Sequence, residues 1–126
     1  MRIATLAEVA ERALQNGAFD VCLADFLDGF YRTPAVVALA AEPTWLAPTF
    51  GETGRVQDAY LAAVAEELSR RFSLQAPEWI GGVGRQLRRP WFATPLAGAR
   101  AMLLLESPAG FRSRNLFVSE NALSRA

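Results

Sequence analysis

Two pairs of carboxylates are spaced to share a helix face, Glu8-x-x-Glu11 and Asp25-x-x-Asp28. On neighbouring helices such pairs can hold Mg²⁺ against the phosphates of a nucleotide. A helical wheel at about 100° per residue sets them facing outward. Asp25 and Asp28 lie opposite the Leu23–Phe26–Leu27–Phe30 stripe, and Glu8 and Glu11 oppose Leu6–Val9–Ala13. Acids outside a bundle cannot converge in its core, so these are read as solvated faces.

A second feature is Gly81-Gly82-Val83-Gly84-Arg85. Backbone N–H groups in a glycine-rich turn can cradle a phosphate, and Arg85 could add a fork of donors. No strand precedes this run and no Lys follows it, so neither dinucleotide nor P-loop grammar is met, and it reads as a connector. The richest segment, Trp79 to Phe92, sets Arg85, Arg88 and Arg89 among Trp79, Trp91 and Phe92, with Arg112, Arg114 and Asn115 downstream. Arg beside aromatics suits anion forks and base stacking, or a core plugged by rings with Arg stems laid over them. Arg100 stands midway along the most apolar stretch, where an unpaired charge is costly. It emerges at a solvent seam, pairs with an acid such as Glu106, or faces a ligand. The candidates for contact with a partner or an anion are therefore Trp79, Arg85, Arg88, Arg89, Trp91, Arg100, Arg112 and Arg114.

Missing residue types exclude more chemistry than the present ones support. All thirteen basic residues are Arg, His is absent, and Cys22 is the lone cysteine. This excludes His-based triads, an internal Schiff base, a structural zinc site and an iron–sulfur cluster. Cys22 reads as a small packed hydrophobe. No catalytic residue, metal ligand or cofactor is implied. Formal net charge is zero, yet residues 1–66 carry four Arg against nine acids and residues 67–126 nine Arg against four. Such asymmetry fits an anion-binding half, or surfaces that dock on one another.

The 126 residues make one domain, and helical punctuation recurs along them. Thr5-Leu6-Ala7-Glu8 is a capping box, and Gly17 sits where a helix should stop. Asp20 can cap a second helix, and Thr33-Pro34 a short third one running to Ala41. Thr44–Gly54 reads as irregular. A fourth helix, about Arg55–Phe72, carries Tyr60, Leu61, Val64, Leu68 and Phe72 on one side, with Glu66–Arg70 and Glu67–Arg71 spaced as i,i+4 pairs. Short helical pieces are expected around Trp79 and Arg85–Arg89. Thr94-Pro95 and Ser107-Pro108 repeat the cap-plus-proline device. Leu116–Val118 reads as extended, and Ser119 as the cap of a last helix to about Arg125. The helix at about 95–106 is apolar almost all round, which predicts a central position. The expected fold is all-α, an irregular bundle of six or seven short helices around that segment. No stretch is long enough to span a membrane, and a cytoplasmic setting is expected.

The segments Asp25-Phe26-Leu27-Asp28-Gly29-Phe30-Tyr31, Pro90-Trp91-Phe92 and Glu106-Ser107-Pro108 through Phe111–Val118 resemble a group of short, all-helical bacterial proteins of unassigned function. Related segments follow helix-turn-helix modules in regulators. The resemblance covers most of the chain and implies a sensing or partner-binding domain, and it names no catalytic residue. The chain shows no helix-turn-helix of its own. The expected function is thus a non-enzymatic module that binds a protein partner or its own copy. The alternatives are anion binding (nucleotide or single-stranded nucleic acid) through the Arg-rich half, and a Mg²⁺-dependent nucleotide pyrophosphohydrolase using the paired carboxylates.

Overall fold

Helices α1 (Leu6–Asn16) and α2 (Phe19–Arg32) lay their apolar stripes against each other and open the core. The structure, a computed structural model, describes residues 2–94 and 96–125. Five further helices follow: α3 (Val37–Ala40), α4 (Ala47–Phe50), α5 (Glu52–Arg71), α6 (Ala97–Glu106) and α7 (Ala109–Arg112). A 3-10 turn spans Glu78–Gly81, and the two-residue strands β1 (Trp91–Phe92) and β2 (Leu116–Phe117) pair in parallel. The chain is all-α, with seven helices among the described residues.

Local chemistry accounts for the first helix. The Glu8 N–H donates to the Thr5 hydroxyl at 3.1 Å, and the Glu8 carboxylate accepts from the Ala4 N–H at 3.3 Å, closing the capping box. Gly17 takes φ +67° at the other end, the left-handed turn that ends the helix without a side-chain penalty. At α2 the cap position falls on Ala18, and Asp20 lies inside the first turn. Thr33-Pro34 opens no helix; α3 begins later, at Val37. Arg85–Arg89 and the segment after Ser119 form bends and turns where helices were expected. Conversely, α4 lies within the stretch read as irregular.

The central helix is α5, in place of the 95–106 segment. Ala59, Ala62, Ala63 and Ala65 are buried on different sides of α5, together with Leu61, Val64 and Leu68. Alanine lets neighbours approach closely from every direction, so a helix of modest hydrophobicity can occupy the middle. Gly54 takes this furthest: a Cβ there would overlap the Leu46 carbonyl at the start of α4.

By contrast, α6 lies at the edge. Its Leu103 is 8% exposed, whereas Met102 and Leu105 are 62% and 84% exposed, and Leu96, Leu104, Gly98 and Ala101 are exposed too. It leans on β2, and Ser107 fastens its end. The Ser107 hydroxyl donates to the Leu116 carbonyl at 2.9 Å and accepts from the Val118 N–H at 3.2 Å. All-round apolarity gives no direction on a helical wheel; long side chains need neighbours on every side, and here only one side has them. The proline half of the Thr94-Pro95 device lies outside the described residues. Thr94 does not cap the helix: the N-cap position falls on Leu96, which has no side-chain cap, and the Thr94 hydroxyl accepts from the Leu96 N–H at 3.3 Å in a turn ahead of α6. Among the described residues no helix is long and apolar enough to cross a membrane.

Candidate functional site

The Arg-and-aromatic segment divides into an inner and an outer set. Arg85 belongs inside. Its side chain is fully buried, with the guanidinium 3.9 Å from the Trp45 ring centroid and 4.9 Å from that of Trp79. It donates to the Pro43 carbonyl at 2.7 Å, the Asp58 carbonyl at 3.3 Å and the Glu42 carboxylate at 3.3 Å. Burial lowers its pKa from the usual guanidinium value, against the upward pull of Glu42 and Asp58. Trp79 closes the cage, its indole N–H donating to the Leu39 carbonyl at 2.9 Å. The glycine run serves this entry: Gly84 takes φ +94° with the Trp45 ring packed against it.

Asp58 lies beneath the cage. The Leu46 and Ala47 N–H groups, at the start of α4, donate to its carboxylate at 2.7 and 3.1 Å. Burial raises its pKa, while those two N–H groups and the Arg85 charge oppose the rise. A matching knot holds Arg114, which donates to Glu66 at 2.6 Å, the Gly110 carbonyl at 2.7 Å and the Ile80 carbonyl at 3.0 Å. Next to it Glu67, also buried, accepts from the Gly110 N–H at 3.0 Å and from Arg70. The Glu66–Arg70 pair forms at 3.0 Å, whereas Glu67 meets Arg70 at i,i+3 instead of Arg71.

Trp79, Arg85 and Arg114 therefore bind elements of their own chain, while Trp91 is half-buried, packed on the core and bordering a cleft. Gly81, Gly82, Arg85 and Arg114 do border one hollow, of about 150 Å³. Glu66 also lines it and already supplies Arg114 with a carboxylate, so no phosphate is needed there. Arg88, Arg89 and Arg112 remain outside, exposed and without an ion pair among the described residues. Arg100 is exposed as well: it lies over the Phe92 ring at 5.1 Å and its Nε donates to the Thr94 carbonyl at 3.4 Å. Of its three alternatives, the solvent seam holds.

The four carboxylates of the paired motifs have separate tasks. Glu8 caps α1. Asp25 accepts from the Ile3 N–H at 2.6 Å, and Asp28 pairs with Arg125 at 2.8 Å. Glu11 is exposed. Among the described residues no three His, Cys, Asp or Glu side chains gather where a metal could sit. Cys22 is fully buried in the α1–α2 seam.

The surface that stands out is the outward side of α6, which also carries the exposed Arg100. The residues from Leu87 to Trp91 run beside Arg114 and Asn115: the Leu87 N–H donates to the Arg114 carbonyl, and the Trp91 N–H to that of Asn115. Arg88 and Arg89 thus sit on the stretch that runs beside Arg114 and Asn115, and α6 contacts β2. The structural roles of Asp58, Glu67 and Asn115 are not read from the sequence: Asp58 is not singled out there, Glu67 reads as half of a helical ion pair and Asn115 as a neighbour of the arginines. The available signal was an Asp amid small apolar residues on α5, and an Asn suited to left-handed backbone, where Asn115 sits at φ +63°. No protein-family model, curated protein or solved structure matches this chain.

Proposed function

We propose that the chain is a non-enzymatic interaction module that seats α6 in an apolar groove with an acidic rim on a protein partner. The observation that carries this is the outward half of α6. Gly98, Ala101, Met102 and Leu105 follow i, i+3, i+4, i+7 spacing, all exposed and none polar. Exposed apolar surface of this kind marks a binding face when it is contiguous. Arg88, Arg89 and Arg112, exposed and without an ion pair among the described residues, favour an acidic partner.

A second copy of the chain is the poorer occupant. Ten helical residues span about 15 Å, and one flat face of that length falls short of the roughly 800 Å² per side that stable pairs bury. An antiparallel twofold pairing also sets like flanks together, Arg100 beside Arg100. A groove wraps the helix on three sides and escapes both difficulties. The likeness of the Asp25–Tyr31, Pro90–Phe92 and Glu106–Val118 segments to regulator-linked domains supports a regulatory setting.

The test is retention of an acidic protein from source lysate by the immobilised full chain. Wild type is compared with a Met102→Glu/Leu105→Glu variant and an Arg88→Glu/Arg112→Glu variant. Both variants should lose about tenfold or more in retention, the effect of about 1.4 kcal/mol, and high salt should weaken the wild type. Equal retention by all three proteins, a stable homodimer in light scattering, or tighter binding to single-stranded oligothymidine overturns the proposal.

A further inference from the structure

The N-terminal half of α5 leaves one face half-buried along a cleft. Thr53, Val56, Gln57 and Tyr60 follow i, i+3, i+4, i+7 spacing and line up along it. With the first turn of α2 and the residues following β1 and β2, they border a half-open cleft of about 510 Å³. That is the size of a small-ligand pocket. Phe19, Val56, Trp91 and Val118 make its walls largely apolar.

Apart from Asp20 its polar groups are neutral, the hydroxyls of Thr53, Tyr60 and Ser119 and the amide of Gln57. No arginine lines the cleft, and its single charged side chain is Asp20, which has no ion pair among the described residues. The amide oxygen of Gln57 is buried and has no hydrogen-bond partner among the described residues. Tyr60 is fixed edge-on between Phe19, 6.2 Å away, and Phe111, 4.9 Å away. Burial, with the Asp20 charge, pushes its phenol up to about 12, so it stays neutral at physiological pH. An orphan acceptor, a lone carboxylate and aromatic walls together lack a cationic donor.

We propose that this cleft binds a small apolar molecule bearing a protonated amine, with Asp20 holding the ammonium and the Gln57 amide oxygen taking one of its N–H groups. An ammonium offers only donors, which is what Asp20 and Gln57 lack. The terminal torsion of Gln57 is soft, so its amide can turn toward the cleft at little cost. The apolar body lies against Val56, Tyr60 and Trp91, where the rings also attract the cation. A carboxylate ligand meets Asp20 as a like charge, and a neutral alcohol leaves Asp20 without a counter-ion. This site is independent of the α6 surface.

The experiment titrates the isotopically labelled full chain with 2-phenylethylamine, 2-phenylethanol and phenylacetate, read by amide and indole NMR shifts. The amine should move the Gln57 side-chain amide and the Trp91 indole, and bind about tenfold or more tighter than the alcohol, with phenylacetate weakest. Asp20→Asn, at an exposed position, should cut amine affinity about tenfold with the fold unchanged. Ala122→Trp should fill the cleft and remove the shifts. Absence of shifts with the amine, equal binding of the alcohol or phenylacetate, shifts away from the cleft, or unaltered affinity in Asp20→Asn each overturns the proposal.

Discussion

Replacing Arg85 by Met keeps most of the buried stem and deletes the guanidinium. Lost are the donors to Pro43, Asp58 and Glu42 and the stacking on Trp45 and Trp79. The desolvation cost of burying the charge is relieved, which offsets part of the loss. What remains is Asp58, 1% exposed, with its nearby cation gone. Breaking one side of a buried ionic cluster costs about 3–5 kcal/mol, a large fraction of the roughly 5–15 kcal/mol that holds such a domain folded. Arg85→Lys retains the charge without the planar fork and should cost about 2 kcal/mol. Urea unfolding followed by tryptophan fluorescence reads both, because two of the three tryptophans form the cage. The loss should also depend on pH. Burial already raises the Asp58 carboxyl above its ordinary 3.8, and the Arg85 charge restrains it. Without that charge it climbs further. A carboxyl whose folded value exceeds its unfolded one favours the fold while protonated and loses that advantage as pH rises through the folded value. The gap between Arg85→Met and wild type should therefore widen from acid to neutral pH, and Asp58→Asn on the Arg85→Met background should narrow it. A cost below about 1 kcal/mol, or a gap that is flat or shrinks toward neutrality, refutes this account.

Further expectations concern the other supports of the fold. Gly54→Ala should lower stability by about 3 kcal/mol or more in urea unfolding, because the new methyl meets Leu46 backbone that cannot rotate away. Leu103→Ala should cost about 2–3 kcal/mol and Leu105→Ala less than about 0.5, a contrast in thermal melts that separates an edge helix from a central one. Asn115→Ala should cost about 1–2 kcal/mol, losing the 2.7 Å bond from its side chain to the Leu87 carbonyl and straining the left-handed backbone; Asn115→Gly should recover only the backbone part.

Short-range chemistry made the ends of elements legible. The Thr5–Glu8 box, the Gly17 stop and the brief extension at Leu116 depend on neighbours a few residues away, and each stands as the spacing implied. At Ser107-Pro108 a helix does follow, but Pro108 takes the cap position and the Ser107 hydroxyl serves Leu116 and Val118 instead. What depends on distant partners was not legible. Arg85 looks on paper like an anion fork, because nothing nearby in sequence announces Trp45, Glu42 or Asp58, 27 to 43 positions earlier. The exchange of roles between α5 and α6 has the same origin. A wheel records how apolar a helix is, whereas centrality depends on how closely neighbours can approach, which alanines permit and leucines hinder. Of the candidate contact residues, Arg88, Arg89, Arg100 and Arg112 stay on the surface, and the proposed amine cleft draws on Asp20, read from the sequence only as a helix cap, and on Gln57, which no motif singled out.

The second helix works as a clasp for both extremities of the fold. Asp25 takes the amide of Ile3; one turn on, Asp28 grips Arg125, and Tyr31 donates to the Leu123 carbonyl at 2.6 Å. These three handholds fall within seven consecutive residues of α2, a stretch of about 9 Å. The first and last described segments thus leave the body side by side. A short glycine-rich bridge could join them into a circle, and new ends opened at an exposed loop tip such as Val83 would leave the clasp undisturbed.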